Sequence, residues 1–487
     1  MYTLMHISDL HHPKHRFLSN REMLSCLLAD RDRFNVENPK ISSPNAILIS
    51  GDLVQGIPLD SADYPDALEA QYTEALSLLE ALADNFLEGD RAKLIIVPGN
   101  HDIDWNMARN SMVSVSSNGQ SVSNLLAMPD SPYRWSWKDL QLMMIKDQSG
   151  YYNRFKYFCD LYSRFYSSAK LAFSIDGWRY WNLFELEDGN ILVCAFNSCA
   201  NNDCYCDCGE IPREAISESD LFVRSTRKDY KLKVAIWHHN LQGPPFRSDY
   251  LDPNLVSLII DKGYRFGLHG HQHISDLSPL PLYTSESQQM VLLSAGTLRA
   301  DLWQLPAGSA WQYNIIELHE DQPRARVHVR EMKTMGIFDQ GRLPRYGGKS
   351  YADVEWTPEP LHKLVNTSTG GGSMISILET IEKLMQIGSF EEAISIIDNN
   401  LEILSYHGRP LLSECLFKAE NWARLESHLS EVRNDDELMK SVLASVSLKH
   451  WDRAENKVKI AEKNPNFSKM LISDLGKRIS AEKGMSR

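Results

Sequence analysis

Five short apolar runs constrain this chain most, because each ends on side chains of the kind that bind metal ions. In "LMHISDLH" the run stops at Asp9 and His11, in "AILISGD" at Asp52, and in "LIIVPGNHD" at Asn100, His101 and Asp102. "VAIWHH" stops at His238 and His239, and "FGLHGH" at His269 and His271. One Gly-Asp pair after an apolar run is ordinary turn chemistry; five coincident endings ask for a common cause. In an open α/β sheet the ligand crevice lies at the carboxyl ends of the strands, so residues remote in sequence converge there. Asp9 and His11 are two residues apart, as are His269 and His271, a spacing that lets both members of a pair point the same way.

Helical stretches separate the runs. In residues 72–86, for example, Leu76, Leu79 and Leu82 share a face, and the alternation over residues 1–335 reads as α/β. At 487 residues the chain exceeds one ordinary core, so further domains are expected. Residues 336–373 turn to Pro, Gly, Ser and Thr in "RLPRYGGKSY" and "NTSTGGGS", the composition of a linker. "GRLPRYGGKS" approaches a phosphate-binding loop, but Leu343 stands where that motif needs its first glycine and no apolar strand precedes it. It is rejected as a nucleotide site.

Residues 374–487 read only as helices. An aromatic followed three positions later by a small or apolar residue recurs there: Phe390 with Ala393, Trp422 with Leu425, and Trp451 with Ala454, 32 and 29 residues apart. The period is similar to that of tetratricopeptide-like helical hairpins, about 34 residues. An all-α, helical-repeat-like domain is therefore expected, holding a protein partner or mediating self-association.

Composition enters mainly by exclusion. No apolar run approaches the roughly 18 residues needed to span a bilayer, so no membrane role is expected. The first residues enter a strand-like pattern without the basic and apolar regions of an export signal, and eight cysteines in so long a chain suit reduced cytoplasmic thiols. A net charge of -13 argues against a basic nucleic-acid clamp over the whole surface, while leaving room for a local site where metals neutralise phosphate.

Taken in order, the blocks D-x-H, GD, GNHD, H and GHxH resemble the calcineurin-like metallophosphoesterase superfamily over most of residues 1–335. The resemblance implies a four-layer αββα sandwich, two packed mixed sheets flanked by helices, with residues 179–196 and 312–332 as material for the second sheet. It implies one metal held by Asp9, His11, Asp52 and His271, and another by Asp52, Asn100, His238 and His269. Oxygen and imidazole donors without thiolates suit Mn first, with Fe or Zn as alternatives. His101 becomes the catalytic histidine, steered by Asp102. The implied reaction is in-line attack by a metal-bridging hydroxide, with His101 protonating the departing oxygen. The diesterase branches of the family share the GNHD and GHxH set, so the expected substrate is a phosphodiester in nucleic acid or a nucleotide. A phosphomonoester or phosphoprotein is the alternative, and a partner-binding scaffold with a vestigial metal site is a further one.

Other features sit around these blocks. Adjacent residues of an extended chain point in different directions, so His238 is taken as the ligand and His239 as facing the substrate or a carbonyl behind the ligands. Asn197 and Ser198 close the run "ILVCAF" and are expected near the substrate. An insertion, residues 106–174, carries Tyr151, Phe155, Phe158, Tyr162 and Phe165 as a helical stripe, which packs in the core or forms a cap that stacks on bases. Cys199, Cys204, Cys206 and Cys208 invite a zinc reading, but C-x-C-x-C spacing spreads sulfurs along one face, and free thiols are expected. His6 lies within a strand, and His12, His15 and His273 are read as supporting or surface groups.

Overall fold

Strands that are apolar at every position need cover on both faces, and this chain supplies it with two packed sheets and helices outside them. In chain order the strands are β1 (Tyr2–Ile7), β2 (Ala46–Ser50), β3 (Leu94–Val97), β4 (Met112–Val115), β5 (Tyr133–Ser136), β6 (Gln141–Ile145), β7 (Trp181–Leu186) and β8 (Ile191–Phe196). They continue with β9 (Leu232–Ile236), β10 (Phe266–His269), β11 (Asp276–Leu280), β12 (Met290–Ser294), β13 (Gln312–Leu318), β14 (Arg324–Thr334), β15 (Ile337–Gln340) and β16 (Tyr351–Glu355). The computed structural model describes the chain apart from residues 13–17, 127, 129–130, 168–170, 172, 174–179, 242–248, 281–289, 302–303, 307, 320–321, 335, 357–376, 378–379, 382–383, 386–387, 465–466 and 486–487. It divides into two units, Met1–Leu361 and His362–Arg487.

The first sheet runs β15-β14-β13-β1-β2-β3, with β16 also on β14; the second runs β11-β12-β10-β9-β8-β7. Within the first, β1, β2 and β3 are parallel; within the second, β8, β9, β10 and β12 are parallel. Side-chain alternation then assigns every residue of the central strands a face. Val193, Val234, Ile236, Leu268 and Leu293 enter the core shared with Ile47, Ile49 and Ile315 of the first sheet. Their neighbours Cys194, Phe196, Ala235 and Leu292 enter a second core with Ile216, Val256 and Ile259 from helices Arg213–Thr226 and Pro253–Asp261. On the other side, helices Asn20–Arg31, Asp66–Phe86 and Lys156–Phe165 add Met23, Leu27, Leu79 and Phe158 to the first core. The result is the expected αββα layering.

Two sequence expectations change. Residues 312–332 supply β13 and β14 of the first sheet, because β13 pairs antiparallel with the edge of β1 that β2 leaves open. Residues 336–355 are no linker: β15 and β16 both pair with β14, and Trp356 beyond them is buried. The remainder of the linker segment, with its triple glycine, lies outside the described residues.

The helix Asn20–Arg31 is bolted to the first sheet by a buried ion pair. Arg330 on β14 donates to both oxygens of Asp30, at 2.6 and 2.9 Å, and Tyr313 Oη donates to Asp30 at 2.5 Å. The aromatic stripe of the insertion belongs to the core: Phe155, Phe158, Tyr162 and Phe165 are fully buried. What projects from the insertion is the small antiparallel sheet β4-β6-β5, whose turn exposes Trp137 and Leu140.

The second unit is helical among its described residues, with helices Phe390–Asn399, Leu401–Lys418, Trp422–His428, Asp435–Ser447, Trp451–Glu462 and Lys469–Met485. Phe390, Trp422 and Trp451 each open a helix, and Ala393, Leu425 and Ala454 one turn later are fully buried. None of the described helices is long and apolar enough to cross a membrane.

Candidate metal centre

Parallel strands bring their carboxyl ends to one edge of a sheet, and here the ends of both sheets meet. The β1–β2 pairing continues past the strands, Asp9 N–H donating to Gly51 O and His11 N–H to Asp52 O, each at 3.0 Å. His238, just after β9, crosses to the first sheet, its Nδ1 2.7 Å from Ser50 O. Beyond β10, Gly270 N–H donates to His238 O at 3.0 Å, which sets the following turn beside the same point. Asp9, His11, Asp52, His271 and His273 all take positive φ, between 38° and 75°. Side chains pay for that conformation; here it swings five of them out of strand alternation and toward one centre.

Two donor sets result. In the first, the ligand atoms of Asp9, His11 and His273 lie within 4.8 Å of one another. His273 Nε2 is 3.4 Å from Asp9 Oδ1 and 3.0 Å from His11 Nε2. In the second, His238 Nε2 is 2.9 Å from Asn100 Oδ1 and 3.4 Å from Asp52 Oδ2, and His271 Nδ1 is 3.1 Å from Asn100 Oδ1. Asp52 also reaches the first set, 3.7 Å from His11 Nε2. All of these are buried except the part-exposed Asn100, His271 and His273.

Gly270 is required by this geometry. A Cβ there would stand 1.8 Å from Ser8 Oγ and 2.7 Å from Asp9 Oδ2. Gly270→Ala is therefore expected to displace Asp9, lowering metal affinity and melting temperature together; calorimetry and a thermal melt of the variant check this, and wild-type values for both would show that the turn accommodates a methyl group.

The structure redistributes several residues singled out from sequence. His269 is the last residue of β10 and lies in none of the close sets; its ring stacks on Trp237 and lines a cavity of about 290 Å³ with Leu241, Ser275 and Ser294. The pair this block brings into the donor sets is thus His271 and His273, a shift of two residues for each set. The signal for it was present: Gly270-His271-Gln272-His273 is itself G-H-x-H, read from the turn glycine rather than from the strand's last histidine. Asp102 does not touch the His101 ring. Its carboxylate accepts from Gly99 N–H at 2.8 Å and Val54 N–H at 3.1 Å, tying two loops together, and burial with the charge of Asp52 pushes it up to about 7. What holds His101 is Gln55 O, 2.7 Å from Nδ1, together with Asp52 Oδ1, which accepts from its backbone N–H at 2.9 Å.

His239 and Asn197 are wholly buried, and His239 Nε2 and Asn197 Nδ2 make no hydrogen bond, the His239 ring lying 5.0 Å from that of His271. His239 Nδ1 meets Ser198 Oγ at 2.8 Å, and Asn197 Oδ1 caps the following turn through Cys199 N–H at 2.8 Å. Ser198 itself supports the site, its hydroxyl accepting from His238 N–H at 3.1 Å. His6 is a buried core histidine whose Nε2 is 2.9 Å from Ser50 Oγ while Nδ1 makes no hydrogen bond, and burial pushes it down to about 3. His15 lies outside the described residues. No thiol enters a close ligand set among the described residues, and none of the eight cysteines is in a disulfide.

The donor chemistry fits divalent cations. Asp9 Oδ1 is buried and aligned for a hydrogen bond with neither neighbouring imidazole. Imidazole nitrogens face each other at 3.0 Å (His11, His273) and 3.2 Å (His238, His271), arrangements that converge lone pairs on shared points. The electrostatics agree. Burial would lower His238, yet the charge and hydrogen bond of Asp52 raise it to about 9. Burial would raise Asp52 and Asp9, yet the surrounding imidazoles hold both well below the usual carboxylate range. The pocket thus favours positive charge at its centre, which a bound cation supplies.

Comparison with known proteins gives a family match. The model described as calcineurin-like phosphoesterase matches residues 2–275. No curated protein matches the chain. Similar solved structures include a dimetal phosphatase from Danio rerio, at 12% identity over 68% of this chain and 96% of that one, with a TM-score of 0.36. A 5'-nucleotidase from Candida albicans is 12% identical over 69% of this chain and 52% of that one, with a TM-score of 0.36. The calcineurin-like phosphoesterase YfkN from Bacillus subtilis is 13% identical over 79% and 96%, with a TM-score of 0.27.

Proposed function

The chain belongs to the calcineurin-like phosphoesterase family, and from that premise we propose that it is a metal-dependent hydrolase cleaving phosphodiester bonds in nucleic acid or nucleotides. The observation that carries the reading is a pair of donor sets about a shared Asp52, with His101 within 4.8 Å of His11 and Asp52 and its ring 4.9 Å from that of His11. Asp9, His11, Asp52 and His273 would hold one divalent ion, and Asp52, Asn100, His238 and His271 the other. Bound there, such ions activate water and neutralise charge on phosphoryl oxygens. Mn is the preferred ion, since the donors are carboxylate, amide oxygen and imidazole.

The remaining work falls to the chain. With Nδ1 turned to Gln55 O, His101 keeps Nε2 for the departing oxygen and delivers a proton there. Trp105 lies beside the imidazole, ring centroids 6.1 Å apart. The preference for diesters rests on the complete GNHD and GHxH blocks. The helical unit, with an aromatic opening alternate helices, is read as a tetratricopeptide-like module for a protein partner or a second copy, in a cytoplasmic protein.

The test is Mn-dependent hydrolysis of bis(p-nitrophenyl) phosphate, p-nitrophenyl phosphate and single- and double-stranded DNA by the purified protein. Diester and DNA cleavage is expected, falling by about 10²–10⁴-fold in His101→Ala. Cleavage of the monoester alone would move the substrate class to phosphomonoesters.

A further inference from the structure

Two imidazoles of the centre are held from behind by backbone carbonyls, and a third is placed differently. His238 turns Nδ1 to Ser50 O at 2.7 Å and His273 turns Nδ1 to Gln304 O at 3.0 Å, so in both Nε2 faces the centre. His271 is reversed. Its Nδ1 faces Asn100 Oδ1 and His238 Nε2, while Nε2 lies 3.4 Å from Asp249 Oδ2. The group facing its outer nitrogen is therefore a carboxylate, where His238 and His273 have backbone carbonyls.

A neutral imidazole carries one proton, and the nitrogen that bears it cannot ligate. For His271 two placements compete. A proton on Nδ1 would be donated to Asn100 Oδ1, 3.1 Å away, occupying two donor atoms of the second set at once. A proton on Nε2 lies beside the Asp249 carboxylate, 3.4 Å away, whose charge favours it there, and leaves both donors open. The side chains of His271 and Asp249 are 11% and 13% exposed, so their interaction is little screened by solvent.

We propose that Asp249 is a positioning residue for the second metal: it holds the His271 proton on Nε2, so that Nδ1 and Asn100 Oδ1 both remain available to a divalent cation. Carboxylate–imidazole pairs of this kind orient ligands and raise their basicity, and losing the outer partner weakens metal binding about 10–100-fold. The inference rests on the two-metal reading of the site.

Titration of the metal-stripped full-length protein with Mn²⁺ by calorimetry tests it, with Asp249→Asn, His271→Ala and the double variant alongside. Wild type is expected to take two equivalents. Asp249→Asn should leave the first unchanged and weaken the second about 10–100-fold, and Asp249→Glu, which keeps the carboxylate charge, should recover much of that loss. In the His271→Ala background Asp249→Asn should add nothing. Unchanged affinity in Asp249→Asn, or the same weakening with His271 absent, would overturn the role of Asp249 while leaving the metal centre intact. Wild type binding no Mn²⁺ would overturn the metal reading itself. Thermal melts establish that each variant is folded, and if Asp249→Asn is not, Asp249→Gln against Asp249→Glu makes the same comparison.

Discussion

Asp52→Asn is expected to lower kcat/KM for phosphate-ester hydrolysis by at least about 10³-fold, the several kcal/mol that metal-assisted charge stabilisation supplies. The substitution keeps the shape of the side chain and removes its charge. Asp52 Oδ2 stands 3.4 Å from His238 Nε2 and 3.7 Å from His11 Nε2, one nitrogen from each donor set, so a single loss reaches both. The amide would also turn an NH₂ toward nitrogens whose lone pairs the centre needs, or present it to the His101 N–H that Oδ1 now accepts at 2.9 Å. Steady-state kinetics with Mn²⁺, beside metal titration of the same variant, measure the effect. Activity within about tenfold of wild type, roughly 1.4 kcal/mol, would remove Asp52 from the centre.

Asp30→Ala is expected to destabilise the Met1–Leu361 unit by about 3–5 kcal/mol, the usual result of stranding one member of a buried ion pair. Arg330 is 1% exposed and places two donors on Asp30; Glu37, 2.9 Å away, is a second carboxylate in reach. Tyr313 Oη would lose its acceptor as well. Replacing both partners, as in Asp30→Leu with Arg330→Met, should recover much of the loss, since the desolvation cost of the pair disappears with it. The pH dependence has a definite sign. Burial raises Asp30, but hydrogen bonds and charge from Arg330 outweigh it and hold the carboxyl below its ordinary value. A depressed carboxyl contributes stability that is full above its unfolded pKa, about 3.9, and is lost as pH falls through the folded value. The difference between wild type and Asp30→Ala in urea unfolding should therefore be full at neutral pH and shrink in acid. A constant difference would mean that packing, not the ion pair, carries the effect.

The sequence by itself determined the strands and what stands at their ends. A run such as "AILIS" is apolar at every position, so it can lie only in a sheet covered on both faces, and β2 does. The residue after such a strand is near the sheet's edge whatever the rest of the chain does, which is why Asp9, Asp52, Asn100 and His238 were legible as a group before any contact was known. Helical periodicity likewise placed Leu76, Leu79 and Leu82 on the buried face of Asp66–Phe86.

Only the tertiary structure decided which neighbouring side chain faces the centre. His269, His271 and His273 share one spacing, and the choice among them depends on where β10 stops pairing with β9 and β12 and on positive φ at His271 and His273. Asp102 follows His101 in sequence, yet loop packing turned it to Gly99 and Val54 and left the ring to a backbone carbonyl that composition cannot reveal. Asp249 carries no local signal at all. β13 reads as a strand, but its place in the first sheet came from pairing with β1, more than 300 residues earlier. Strand formation and amphipathic periodicity are local, and the order of residues carries them; sheet membership, turn conformation and the direction of a side chain past a strand's end are set by contacts between distant segments.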